Sequence, residues 1–121
     1  MFKFLVGRIQ LKKLFISIVT VFVVLTTLLT RPALAGDAAV GKQLFGANCA
    51  SCHAGGKNAV NPAKTLSSAD LTANGKNSEE AIMNQIKKGA GAMPAFAGRL
   101  NDTQIADIAS YVFAQAAADW K

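Results

Sequence analysis

Five consecutive residues, Cys49-Ala50-Ser51-Cys52-His53, constrain this chain more than any other stretch, because they hold both of its cysteines and its only histidine. A spacing of three is about one helical turn, so the two thiols project from one side of the backbone with the imidazole next to them. A structural zinc site would need about four Cys or His ligands, and the chain has no others to offer. A thioredoxin-type dithiol would sit at a strand-to-helix turn, yet no strand-like alternation precedes Cys49. Two buried core cysteines would not require an adjacent histidine. The spacing that remains is that of covalent haem c attachment, in which Cys49 and Cys52 form thioethers and His53 binds the iron from one axial side.

The first third of the chain reads differently. Lys3, Arg8, Lys12 and Lys13 come without an acid, Leu14 to Thr30 is uncharged and mostly apolar, and Arg31-Pro32 interrupts it before Ala33-Leu34-Ala35. Basic, apolar, then Ala-x-Ala is the order of a secretory signal, so residues 1–35 are expected to be removed by cleavage after Ala35. The competing reading is an uncleaved anchor, since the apolar run reaches the lower limit of the about 17 to 25 residues that span a bilayer. Cleavage also removes most of the basic excess, which is +6 over the whole chain. Gly36 to Lys121 keeps eight basic against seven acidic residues, a net charge of +1. No nucleic-acid partner is therefore expected, and attraction to any partner falls to local patches. The remaining 86 residues make one domain with a thin stability margin, which a covalent cofactor would staple.

Within 36–121 the pattern is helical throughout. Asp37 is placed to cap a helix from Ala38 to Asn48, with Val40, Gly41, Leu44 and Phe45 recurring on one face. Gly41 lacks a Cβ and so permits close approach of another helix, unless it is simply a tolerated glycine beside an ordinary core phenylalanine. Residues 54–67 are rich in turn formers and should form a loop around a haem edge, with Val60 and Leu66 turned inward. A short helix is expected at Ser68–Ala73 with Leu71 inward, ended by Asn74-Gly75. Asn77-Ser78-Glu79-Glu80 starts a helix that Lys87-Lys88-Gly89 stops, and Ile82, Met83 and Ile86 give it an apolar stripe. Asn101 to Gln104 caps a last helix running to about Asp119, with Ile105, Ile108, Ala109, Val112 and Ala116 inward. Tyr111 or Phe113 is expected to pack on Gly41 and Phe45.

With one histidine, bis-histidine ligation within the chain is excluded, leaving methionine, lysine or an open position on the second axial side. Met1 departs with the leader, and Met83 sits on a helix face among isoleucines, where methionine usually fills core space. Met93 lies in Gly89-Ala90-Gly91-Ala92-Met93-Pro94, a loop bracketed by glycines and a proline. It is the expected sixth ligand, the competing role being a plug for a core gap. A neutral thioether favours ferrous iron and raises the potential, and two filled axial sites leave no place for oxygen or peroxide. Electron transfer, not catalysis, is the expected consequence.

These residues resemble the cytochrome c6 family, soluble class I c-type cytochromes of photosynthesis. The likeness covers nearly all of 36–121. It rests on Gly41 to Phe45, Asn48 to Gly56, Asn61 to Leu66, Ala92-Met93-Pro94-Ala95-Phe96 with Gly98-Arg99-Leu100, Tyr111-Val112 and Trp120. The resemblance implies an all-α class I cytochrome c fold of about four helices around one covalently bound haem. It also implies thioethers at Cys49 and Cys52, axial ligation by His53 and Met93, and a glutamine, Gln85, near the haem. Such proteins carry electrons from cytochrome f of the cytochrome b6f complex to photosystem I in the thylakoid lumen, some also to a terminal oxidase. A periplasm is the alternative compartment. Arg99, six residues past Met93, is a candidate for meeting an acidic docking surface. The competing functions are a haem enzyme or sensor with a labile sixth ligand, and a membrane-tethered respiratory carrier.

Overall fold

The computed structural model describes residues 12–21 and 36–121, which belong to two units, Met1–Ala33 and Leu34–Lys121. In the first unit, residues 12–21 are helical. Leu14, Phe15, Ile16, Ile18, Val19 and Val21 stand exposed there. Among the described residues no helix is long and apolar enough to cross a membrane. The rest of the expected leader, and its cleavage point after Ala35, lie outside the described residues.

The second unit is helical, as its periodicity predicts: α1 (Ala38–Asn48), α2 (Ala50–His53), a 3-10 turn (Ala54–Gly56), α3 (Ser68–Ala73), α4 (Glu79–Lys88) and α5 (Asp102–Ala117). Local chemistry sets the boundaries. The Asp37 carboxylate accepts from the N–H groups of Ala39 and Val40 and opens α1. Ser67 and Ser78 cap α3 and α4 in the same way. Glu79 and Glu80 in the first turn of α4, and Lys87 and Lys88 in its last, complement the helix dipole, and Gly89 at φ 65 ends it. Asn101 and Gln104 form a reciprocal capping box at the start of α5.

α5 organises the core. Every residue from Ile105 to Ser110 is buried, and Ile105, Ile108, Ala109, Val112 and Ala116 join Phe45, Leu71, Ile82, Ile86 and Phe96 in one apolar cluster. Its tightest partner is α1. A Cβ on Gly41 would stand 2.0 Å from the Asp107 carbonyl oxygen and 2.9 Å from Tyr111 Cβ, so only glycine permits this crossing. Tyr111 is the aromatic that packs there, its ring 5.3 Å from that of Phe45. Phe113 points the other way and is 36 % exposed.

Three expectations need correction. Val40 is exposed, because α1 buries only the Gly41–Phe45 line. Val60 is 64 % exposed and lines a cleft instead of the core. The last helix ends at Ala117, two residues early, because Asp119 and Trp120 adopt left-handed backbone, φ 52 and 57. That turn aims the Trp120 indole back at the chain, where Nε1–H donates to the Leu66 carbonyl at 2.9 Å. The ring fills the space over Gly56, where a Cβ would lie 2.4 Å from Nε1.

Candidate functional site

The core is not closed on all sides. Between α1, α2, α4, α5 and the two loops opens a cleft of about 800 Å³, lined by Cys49, Cys52, His53, Val60, Leu66, Leu71, Ile82, Gln85, Ile86, Met93, Phe96 and Arg99 among others. That volume suits a cofactor, the common range being about 300–1,000 Å³. All five residues singled out from the sequence therefore face one space, although they come from segments 40 residues apart.

The cysteine segment is shaped by the end of α1. Cys49 closes that helix, its N–H donating to the Phe45 carbonyl at 2.8 Å, and its own carbonyl accepts from Cys52 and His53 at 3.1 and 2.9 Å. The resulting four-residue helix sets the two thiols one turn apart. Burial pushes the Cys49 thiol up to about 11. It is therefore a neutral thiol at ordinary pH, unlike the activated thiolate of a redox dithiol. Cys52 is exposed. His53 Nδ1 lies 2.9 Å from the Lys57 carbonyl oxygen, which fixes the proton on Nδ1 and leaves Nε2 as the donor atom with a lone pair. Gly55 and Gly56, at φ 59 and 73, turn the chain tightly enough to bring that carbonyl round.

The methionine loop is equally constrained. Ala90 and Met93 exchange two backbone hydrogen bonds of 3.0 Å, closing a turn around Gly91 at φ 57. Gly89 packs so closely beneath it that a Cβ would stand 2.4 Å from the Met93 carbonyl oxygen. Phe96 N–H donates to Ile86 O at 3.0 Å and anchors the far end to α4. Met93 thus enters the cleft from a fixed turn, and Gln85 Nε2 donates to its sulfur at 4.0 Å. Met83 is half-buried against the core, as expected of a packing residue. Arg99 is exposed on the rim, its guanidinium carbon 5.3 Å from the Phe96 ring centroid.

Sequence reasoning missed the polar framework of the outer wall. Asn58 accepts from the N–H groups of Val60 and Asn61 and donates to Lys64 O, at 3.1, 2.9 and 2.9 Å. Asp70 accepts from Thr65 through both hydroxyl and backbone N–H. Those bonds, the hydroxyl first, hold its carboxyl below the usual range. The only signal in the sequence was composition, since Asn, Asp, Ser and Thr are the residues that tie loops to their own backbone.

The donor set fits a haem: two thiols, an imidazole with a free Nε2 and a thioether face one apolar cleft. It does not fit a polynuclear or carboxylate-bound metal, because no group of three or more His, Cys, Asp or Glu suited to an ion occurs among the described residues. Comparison with known proteins agrees. A family model described as cytochrome c oxidase, cbb3-type, subunit III matches residues 36–112. Cytochrome c6 of Rippkaea orientalis is 59 % identical over 92 % of this chain and 100 % of that protein. Cytochrome c6 of a Nostoc species is 50 % identical over 92 % of this chain and 100 % of its own. Among solved structures, cytochrome c6 from the diatom Phaeodactylum tricornutum superposes with a TM-score of 0.68 at 49 % identity, covering 70 % of this chain and 100 % of that one. By fold and by sequence, this chain belongs to the cytochrome c6 family, class I cytochromes that carry electrons on a c-type haem.

Proposed function

We propose that the chain is a one-electron carrier from cytochrome f of the cytochrome b6f complex to photosystem I, working in the thylakoid lumen after removal of residues 1–35. One haem is held by thioethers from Cys49 and Cys52, with His53 and Met93 as axial ligands. The observation that carries this reading is the meeting of these four side chains in one apolar cleft. A bound haem supplies reversible one-electron exchange at iron, and the chain's own residues set the terms of that exchange.

The Lys57 carbonyl orients the His53 ring and leaves Nε2 free as the donor atom. Met93 offers a soft, neutral sulfur that favours the reduced state, and the Gln85 amide steers its lone pair. Phe45, Leu71, Ile82, Ile86 and Phe96 exclude water and penalise the extra charge of the oxidised state. With His53 and Met93 both engaged, a haem held here would have no open position for bond-making chemistry, which supports a carrier over an enzyme.

Redox titration of the haem-loaded protein tests the ligand set: a high positive midpoint potential is expected. A value near or below zero, or prompt carbon monoxide binding by the ferrous protein at neutral pH, would replace this reading with the sensor or enzyme. Arg99 on the rim supplies a positive charge for an acidic partner surface. Arg99→Glu should slow electron delivery to photosystem I at low salt with the potential unchanged, since rim charges act on encounter. An unaltered rate would remove Arg99 from the docking surface.

A further inference from the structure

One carboxylate in the second unit is buried away from the cleft. Asp107 is only 7 % exposed and lies on the face of α5 that receives α1. Its Oδ1 accepts the backbone N–H of Asp37 at 2.8 Å. Among the described residues the ion pairs are Lys87–Asp102 and Lys121–Asp119, so no Lys, Arg or His answers the Asp107 charge. The other ionisable groups at this corner are Asp37, whose carboxylate is engaged in capping α1, and Tyr111, one turn further along α5. Neither is a cation. A buried carboxylate with one amide partner is electrostatically incomplete.

Gly36 lies against the same turn. A Cβ there would stand 2.2 Å from the Ala106 carbonyl oxygen and 2.6 Å from the Asp107 backbone nitrogen, so the position admits only glycine. One residue of backbone separates its nitrogen from the Asp37 nitrogen that already touches Asp107, which puts it within about 6 to 7 Å of the carboxylate. Rotation about the glycine backbone can close the remainder.

We propose that the counter-ion of Asp107 is the α-ammonium of Gly36, created when the leader is removed, so that processing completes an ion pair that fastens α1 to α5. The inference rests on the cleavage point assigned above. Hydrolysis of the Ala35–Gly36 bond by one water leaves a carboxylate on Ala35 and a protonated amine on Gly36. Before that event the same nitrogen is a neutral amide with no charge to give. The exported chain therefore gains its fastening only after it has left the compartment of synthesis.

The test begins with the intact mass of the exported, haem-loaded protein, followed by NMR titration of its terminal amine. Gly36 should be the first residue. Its amine should titrate at about 9 or above, against about 7.7–8.0 for an ordinary terminus, and return to the ordinary range in Asp107→Asn. Acetylating the terminus of the native protein is the second arm, which needs no mutant to fold. It should lower Tm at pH 6 and have no effect at pH 11, because a pair that raises the amine's pKa stabilises below the unfolded value and is lost above the folded one. A different first residue overturns the inference together with the cleavage point. Gly36 in first place with an ordinary amine, or with a Tm indifferent to acetylation, overturns the ion pair alone.

Discussion

The α1–α5 crossing and the outer wall of the cleft are built on opposite terms. At the crossing, backbone meets backbone: Gly41 lies on the Asp107 carbonyl, with the Tyr111 side chain packed beside it on Phe45. At the wall, residues 56–67 keep their shape through Asn58, Asp70 and Thr65, while Val60 shows most of its surface to the cleft and solvent. The first arrangement is complete in the polypeptide alone. The second lines the cleft that would take the cofactor. A fault in the crossing should therefore strike stability, and a fault in the wall should strike the redox site.

The sharpest way to break that contrast is Gly41→Val. Two added methyls beyond a Cβ that already falls 2.0 Å from a carbonyl oxygen have nowhere to go, because the obstacle is helix backbone. A loss of about 3 kcal/mol or more is expected, enough to threaten folding of a small domain, and thermal unfolding of the haem-loaded protein measures it. A Tm close to that of the parent would mean the helices can separate without penalty, and the crossing would lose its status as the rigid part.

Trp120 joins the two regions. Its ring stands 5.5 Å from Phe45 and 6.0 Å from Tyr111 on the crossing side, while its Nε1–H holds the Leu66 carbonyl on the wall side. Trp120→Phe keeps an aromatic ring and deletes that donor, stranding a partly buried carbonyl at a cost of about 1–2 kcal/mol. If the regions are coupled here, the midpoint potential should fall as well, because a looser Leu66 admits water to the cleft. Lower stability with an unchanged potential would assign Trp120 to the crossing alone.

The same contrast explains what the sequence disclosed. α1 runs over the residues that its Asp37 cap and its periodicity indicated, and α3 over the span that Asn74-Gly75 closes, because these are local signals. The Met93 loop was legible for the same reason, two glycines and a proline being enough to end α4 and start a turn. Val60 was misplaced since an apolar residue in a loop reads as core, whereas here it lines a cleft. The early end of α5 was hidden because the reason lies at Gly56 and Leu66, more than 50 residues away. Asp107 gave no sign of burial, as its surroundings are made by α1 rather than by its own helix. The approach of Gln85 to Met93 came from family resemblance, since a glutamine on a helix otherwise reads as solvated.

The smallest expected effect is also the most local. Thr65 stabilises the ionised form of Asp70, so the folded-state pKa lies below the ordinary value of about 3.9. The sign follows from linkage: the clamp contributes fully above the unfolded value and is lost as pH falls through the lower, folded one. Because Asp70 ties only the wall, acidification should release Thr65 and its neighbours before the crossing gives way. Protection of the Thr65 amide against hydrogen exchange, relative to the intrinsic rate, should fall as pH drops through the folded-state value of Asp70, to whose Oδ2 it donates at 3.0 Å, while amides in the buried part of α5 stay protected. Asp70→Asn should bring the low protection of Thr65 up to neutral pH and flatten its acid dependence. If Thr65 and α5 lost protection together in both proteins, the wall would be one cooperative unit with the helices, and the division between a self-sufficient crossing and a cofactor-dependent wall would fail at this point.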